Sequence, residues 1–484
     1  MRKIILTLVI TCIFWACDDR FAEMNKPTKA AVAAPAETLF ANGVNEMFYM
    51  MNNSNTNINV FRLYAQYWAQ TTYPDESQYN MVTRRNPDFF WRGAYRDALK
   101  DLDEAKKITE ETWQSLGITE AVRDNRIAII EACKVYTYQV LVDAFGAVPY
   151  TEALDPEILS PKYDAGEDVY NAIIDDLDAA IAMVDVNSDS WSETQDIVYE
   201  GDTGAWLKFM NSLKLKLAIN LADVNPGKAG SMVAEAVAGG VFDSNDDNAS
   251  IQYLDAFPNT HPVHEDLVQS GRDDYVIANT IVDIMNNLND PRLPVYAQPL
   301  DDGVTYEGGV YGTNNTFAQK SHIGEIFYTP DIEGLILDYA EVEFMLAEAA
   351  ERGFSVPGTA EEHYDAGITA SMEYWGVDSG DIANYLANPD VAYTTAAGDW
   401  KQKIGVQAWL ALYNRGFEGW TVWRRLDFTG FNVPPFGGLT YNDIPKRFIF
   451  PISEATLNKA SLQEAIQLIG GEDSATTKVF WDVN

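Results

Sequence analysis

Apolar residues recur at helical spacing along most of the chain, in blocks of roughly 15–20 residues parted by turn formers, and this rhythm restricts the fold to packed helices. In residues 165–184, Val169, Ile173, Leu177, Ile181 and Val184 fall on one stripe. Asp202 or Thr203 caps a segment carrying Trp206, Phe209, Met210, Leu213 and Leu217 on one side. Residues 335–352 place Leu335, Tyr339, Val342, Met345, Leu346 and Ala349 on one face before Gly353, and 361–375 answer them. Earlier, 36–51 and 57–70 read as a helical hairpin around an Asn/Ser-rich turn. Pro87 opens a helix over 89–111, at a position where its missing N–H costs nothing. Residues 119–145 form a long helix stopped by Gly146, apolar almost all round and therefore expected between neighbours. Hairpins that recur without strict identity predict a mainly α fold resembling a tetratricopeptide array.

Residues 240–333 break this pattern. They are rich in Asp, Asn, Gly, Pro and Tyr, with one helix expected over 274–288. Residues 377–400 and 428–450 are similar. Long loops on a rigid helical base are where binding surfaces are commonly built.

The chain starts with Arg2 and Lys3, followed by an apolar run from Ile4 to Trp15. That run is too short to span a bilayer, which takes about 20 residues, and reads as an export leader. Ala16-Cys17 at its end resembles a bacterial lipobox. The resemblance implies a signal peptide over 1–16, acylation of Cys17, a lipidated tether over 17–35, and one domain over 36–484. Asp18 and Asp19 beside the anchor accompany display on the outer cell surface in some Gram-negative groups. Cys12 leaves with the leader, so Cys133 is the one thiol left for the body and no disulfide within the chain is expected. In its apolar stretch Cys133 reads as a small core residue. A formal net charge of −38 argues against a nucleic-acid partner and against electrostatic docking to anionic lipid.

Several segments resemble one family. They are Leu141-Val142-Asp143-Ala144-Phe145-Gly146-Ala147-Val148-Pro149-Tyr150, Tyr199-Glu200-Gly201-Asp202, Trp420…Trp423-Arg424-Arg425, and Ile444-Pro445-Lys446-Arg447-Phe448…Pro451-Ile452-Ser453-Glu454. With Cys17-Asp18-Asp19 they are similar to the SusD/RagB family of nutrient-binding outer-membrane lipoproteins. Ser270-Gly271-Arg272 and Asn289-Asp290-Pro291-Arg292 resemble its SusD-like subgroup. The resemblance implies about four tetratricopeptide-type hairpins with a loop-rich ligand face opposite. It also implies a SusC-like TonB-dependent transporter as partner, a lipid anchor in the outer membrane facing outward, and an oligosaccharide ligand. The RagB branch makes a peptide the alternative ligand.

Glycan capture needs aromatic faces for the C–H side of a sugar ring and polar side chains at its edge. Candidate ligand contacts are Tyr73, Tyr79, Asn80 and Arg84 in one loop, then Tyr253, Phe257, Tyr275 and Tyr296 in the middle region. Tyr67 and Trp68 read as core. Catalysis finds less footing. His261, His264, His322 and His363 lack metal-ligand spacing, no GxSxG elbow or phosphate loop is present, and no catalytic or metal residue is assigned. No cofactor is expected; scattered Asp and Asn allow a structural calcium without an EF-hand loop. A secreted glycoside hydrolase is the rival of another class, since 72 acidic residues permit a carboxylate pair by chance. The basic islands at Arg424-Arg425 and Lys446-Arg447 read as ties between the C-terminal region and the helical body.

Overall fold

Sequence-encoded stops and caps set most of the helices. The computed structural model describes residues 34–483; the expectations for the leader, for Cys17 and for the tether up to residue 33 lie outside the described residues. Thr119 opens α4 (Glu120–Phe145) by accepting from the Val122 amide at 3.3 Å, and Gly146 ends it at φ +86°. Asp202 caps α6 (Thr203–Asn220) through the Gly204 and Ala205 amides at 2.8 and 3.0 Å. Thr359 and Glu362 form a reciprocal capping box at the start of α10 (Ala360–Tyr374).

Consecutive helices pack in pairs. Helix α4 meets α5 (Gly166–Met183), α6 meets α7 (Pro226–Gly239), α9 (Tyr339–Glu351) meets α10, which also touches the short α11 (Ser379–Leu386), and α12 (Trp400–Ala411) meets α13 (Gly416–Leu426). The fold is mainly helical, as its periodicity predicts. Residues 127–145 of α4 are buried except Lys134, because α4 is enclosed by α3 (Lys100–Thr112), α5 and α6. Cys133 is buried there, and burial pushes its thiol well above the usual range.

Three expectations need correction. Residues 57–70 do not form the second helix of a hairpin: Phe61–Tyr64 makes a single turn, Gln66 turns left-handed at φ +56°, and Trp68–Gln70 becomes strand β1. Helix α1 (Ala36–Asn52) packs on α3 and on the π-helical segment Gly93–Leu99, which joins α2 (Asn86–Arg92) to α3. The approach is so close that a Cβ at Gly43 would lie 2.8 Å from Leu102 Cγ. Residues 335–337 belong to strand β4 (Glu333–Leu337), after which Asp338 caps α9. Helix α8 runs over Asn279–Leu288 and not from 274, because Tyr275–Ile277 is strand β3.

Strand β1 pairs antiparallel with β3, setting Gln70 opposite Tyr275, and β2 (Ala249–Gln252) pairs antiparallel with β4. Phe61 is ringed by Phe90, Phe417, Trp420 and Phe448 at centroid distances of 4.8–5.2 Å. The basic islands do tie the molecule together. Arg424 Nη1 donates to the carbonyls of Asp143 and Lys446 at 2.6 and 2.9 Å, Arg447 Nε donates to the Phe145 carbonyl at 3.0 Å, and Arg425 Nε pairs with Glu348 at 3.1 Å.

A loop-built cavity as candidate ligand site

Opposite residues of an antiparallel pair send their side chains to the same face, so Gln70 and Tyr275 together line a cavity of about 410 Å³. Trp68, two residues before Gln70, packs its ring 5.4 Å from Tyr275 and supports that wall from below. Gln70 is an organiser. Its amide donates to the Tyr73 carbonyl and to Glu76 Oε2 at 2.8 and 2.7 Å, while its oxygen accepts from the Ser77 amide and hydroxyl. Glu76, buried beneath the loop, holds Arg84 Nε at 2.6 Å, and the Arg84 guanidinium lies 5.6 Å from the Tyr73 ring centre. Burial pushes the Glu76 carboxyl above its ordinary value, with the Gln70 hydrogen bond and Arg84 opposing it.

Tyr73 itself is 59% exposed at the cavity mouth, with a left-handed φ of +50°. Tyr79 and Arg85 are also left-handed, so three non-glycine residues of one short loop sit in costly backbone. Thr71 and Thr72 fasten this loop to the other side: Thr71 Oγ1 donates to the Asp273 carbonyl and Thr72 Oγ1 to Asp274 at 2.8 Å.

The far wall supplies charge. Arg272 Nη2 donates to Asp274 at 2.8 Å. Burial works against ionisation of Asp274, but hydrogen bonds from Arg272 and Thr72 outweigh it and hold the carboxyl below its usual value. Asp266 accepts from Ser54 Oγ at 2.7 Å, yet burial, with Glu265 as a like charge nearby, pushes it up to about 6. Asn55 and Asn57 complete the polar lining.

Of the sequence candidates, Tyr73, Arg84 and Tyr275 come together in this cavity. The others lie elsewhere. Asn80 caps its own loop, accepting from the amides of Val82 and Thr83 at 3.0 Å. Tyr79 packs inward on Tyr64, and its hydroxyl is buried beside Tyr311 and Gln66. Tyr253 is buried edge-on to His261 at 4.8 Å. Tyr296 has no exposed surface, stacked 4.2 Å from Tyr413 with its hydroxyl donating to the Leu410 carbonyl. Phe257 is 76% exposed but does not line the cavity. Sequence reasoning missed Gln70, Asp266, Arg272 and Asp274, which sit among many similar polar residues; the Arg272–Asp274 spacing was the one available hint.

Among the described residues no group of three or more His, Cys, Asp or Glu is arranged to hold a metal ion, and no helix is long and apolar enough to cross a membrane. Solved structures resemble the whole fold. A chitin-binding protein is 27% identical with a TM-score of 0.79, over 93% of this chain and 100% of its own. A chitin-binding SusD homologue from Flavobacterium johnsoniae is 25% identical with a TM-score of 0.77, over 92% of this chain and 99% of its own. A SusD homologue from Bacteroides uniformis ATCC 8492 is 25% identical with a TM-score of 0.77, over 93% of this chain and 100% of its own. No curated protein matches the chain. The family model described as SusD-like, starch-binding and associating with the outer membrane matches residues 26–451, and the chain belongs to that family.

Proposed function

We propose that the protein binds a neutral glycan oligomer in the cavity between Tyr73 and Tyr275, and passes it unaltered to a SusC-like TonB-dependent transporter in the outer membrane. The observation that carries this reading is an exposed ring, Tyr73, at the mouth of a polar cavity whose charges balance: Arg84 and Arg272 against Asp266 and Asp274. A balanced lining favours hydroxyl-rich, uncharged ligands over uronates. The chitin-binding neighbours support a glycan over a peptide.

Each residue has a role in this reading. Tyr73 covers an apolar sugar face, Tyr275 closes the opposite wall, and Asn55, Asn57 and Arg84 reach ring hydroxyls. A hydrolase would need one positioned carboxylic acid and a second carboxylate free to act as base or nucleophile. Asp274 is tied by Arg272 and Thr72, which supports binding without turnover. Acylation of Cys17 would anchor the protein in the outer membrane, facing outward, in keeping with a family described as associating with that membrane.

Titration calorimetry with chito- and malto-oligosaccharides, uronate oligomers and short peptides tests the proposal. A neutral glycan is expected to bind, with Tyr73→Ala weakening it roughly five- to tenfold, the worth of one aromatic contact. Peptide binding in place of glycan would move the ligand class to the RagB type, and new reducing ends during incubation would move it to a hydrolase. Unchanged glycan affinity in Tyr73→Ala would remove the cavity from the proposal.

A further inference from the structure

A second cavity, of about 270 Å³, opens between α3, α4, α5 and the loop that follows Tyr150. We infer that it is a binding site for a primary ammonium group carried on a small molecule, held by Asp176, the Tyr138 hydroxyl and the faces of Tyr138 and Tyr150.

Tyr138 is 4% exposed, and no described residue hydrogen-bonds its hydroxyl. A phenol this buried ordinarily finds a partner. Tyr138 lines the cavity, and burial first, then the nearby acids Asp103, Glu131 and Asp176, hold its hydroxyl well above the ordinary value. Tyr150 meets Tyr138 edge to face at 4.8 Å, and its hydroxyl donates to Asp176.

The acids of the cavity differ in what satisfies them. Asp103 is paired with Lys107 at 2.8 Å and Lys134 at 3.2 Å, and Glu131 with Lys106 at 2.9 Å and Lys134 at 3.4 Å. Asp176 accepts from Tyr150 and feels the Lys106 charge without a direct salt bridge among the described residues. Lys134 also lines the cavity, with its charge directed at Asp103 and Glu131; what is left is the Asp176 carboxylate, the Tyr138 hydroxyl and two aromatic faces, a set that matches a compact N–H donor with positive charge. The acidic side chains do not converge as a metal ion requires, so an organic cation fits the charge. A protonated amino sugar has the right chemistry and size, and the same charge reaches the site on a simple diamine.

The test uses the purified protein with D-glucosamine, N-acetyl-D-glucosamine and cadaverine, followed by calorimetry. Glucosamine and cadaverine are expected to bind, glucosamine about tenfold more tightly than its uncharged N-acetyl analogue, the worth of one charged hydrogen bond. Tyr138→Phe keeps the ring and removes a hydroxyl that bonds no described residue, so melting should be unchanged while amine affinity falls about fivefold. Asp176→Asn should lower it further. Equal binding of N-acetylglucosamine, absence of amine binding, or loss of glucosamine binding in Tyr73→Ala with Tyr138→Phe unaffected would each overturn the inference. Each titration is repeated in Tyr73→Ala, and the amine is compared with its N-acetyl analogue in that background, so that sugar held at the first cavity does not enter the comparison.

Discussion

In the core, Phe61 touches four rings within 5.2 Å; at the cavity mouth, Tyr73 has one neighbour of note, the Arg84 guanidinium. Both are aromatic residues from the first hundred positions of the chain. What separates them is backbone. Phe61 opens a helical turn whose side is covered by α13, whereas Tyr73 is pushed outward by a left-handed turn that Gln70 and Glu76 hold from beneath. Exposure here is produced by polar scaffolding, and the scaffold, more than the ring, decides whether a site exists.

The comparison can be broken from the core side first. Phe448→Ala removes a ring that contacts Phe61, Phe90 and Phe145, and should cost about 3–5 kcal/mol of stability in denaturant unfolding. Ligand affinity of the folded fraction should stay the same. A loss below about 1 kcal/mol would mean that the core and the cavity do not differ as described.

Gln70→Ala probes the scaffold. It leaves Glu76 Oε2 and the Ser77 amide without their partner, at a cost of about 2 kcal/mol. Glycan affinity should fall with stability, because the Tyr73 turn loses its support. Full retention of affinity would show that the turn holds itself.

Asp266→Asn is a smaller effect with a definite sign. Burial raises the folded carboxyl to about 6, so between roughly pH 4 and 6 the native state holds a proton that the unfolded chain releases, and stability declines as pH rises through that window. The substitution should therefore stabilise by on the order of 1 kcal/mol at pH 7.5 and by nothing measurable near pH 4. A stabilisation independent of pH would contradict the assignment. The smallest change is expected for Tyr73→Ala, whose melting should stay within about 0.5 kcal/mol of the parent, since its ring buries little.

The helical scaffold is legible in the chain because Thr119, Gly146, Asp202 and Thr359 act locally and their caps do not depend on distant partners. Strand β1 is not legible: three residues cannot display alternation, and Trp68 and Gln70 owe their roles to Tyr275 far along the chain. Tyr73 could be guessed from its Pro/Asp/Ser loop. Tyr253 and Tyr296 sit in equally turn-rich sequence, yet their loops fold back on the body, and composition does not say which way a loop turns. Asp266 and Arg272 have no mark in a chain so rich in acids.

Thr71 is bonded to the Asp273 carbonyl from 202 residues away. A ribosome therefore releases Tyr73 long before the wall that faces it. A nascent or truncated chain that stops short of β3 lacks one wall of the cavity. The cavity is completed only once more than half of the polypeptide has been made.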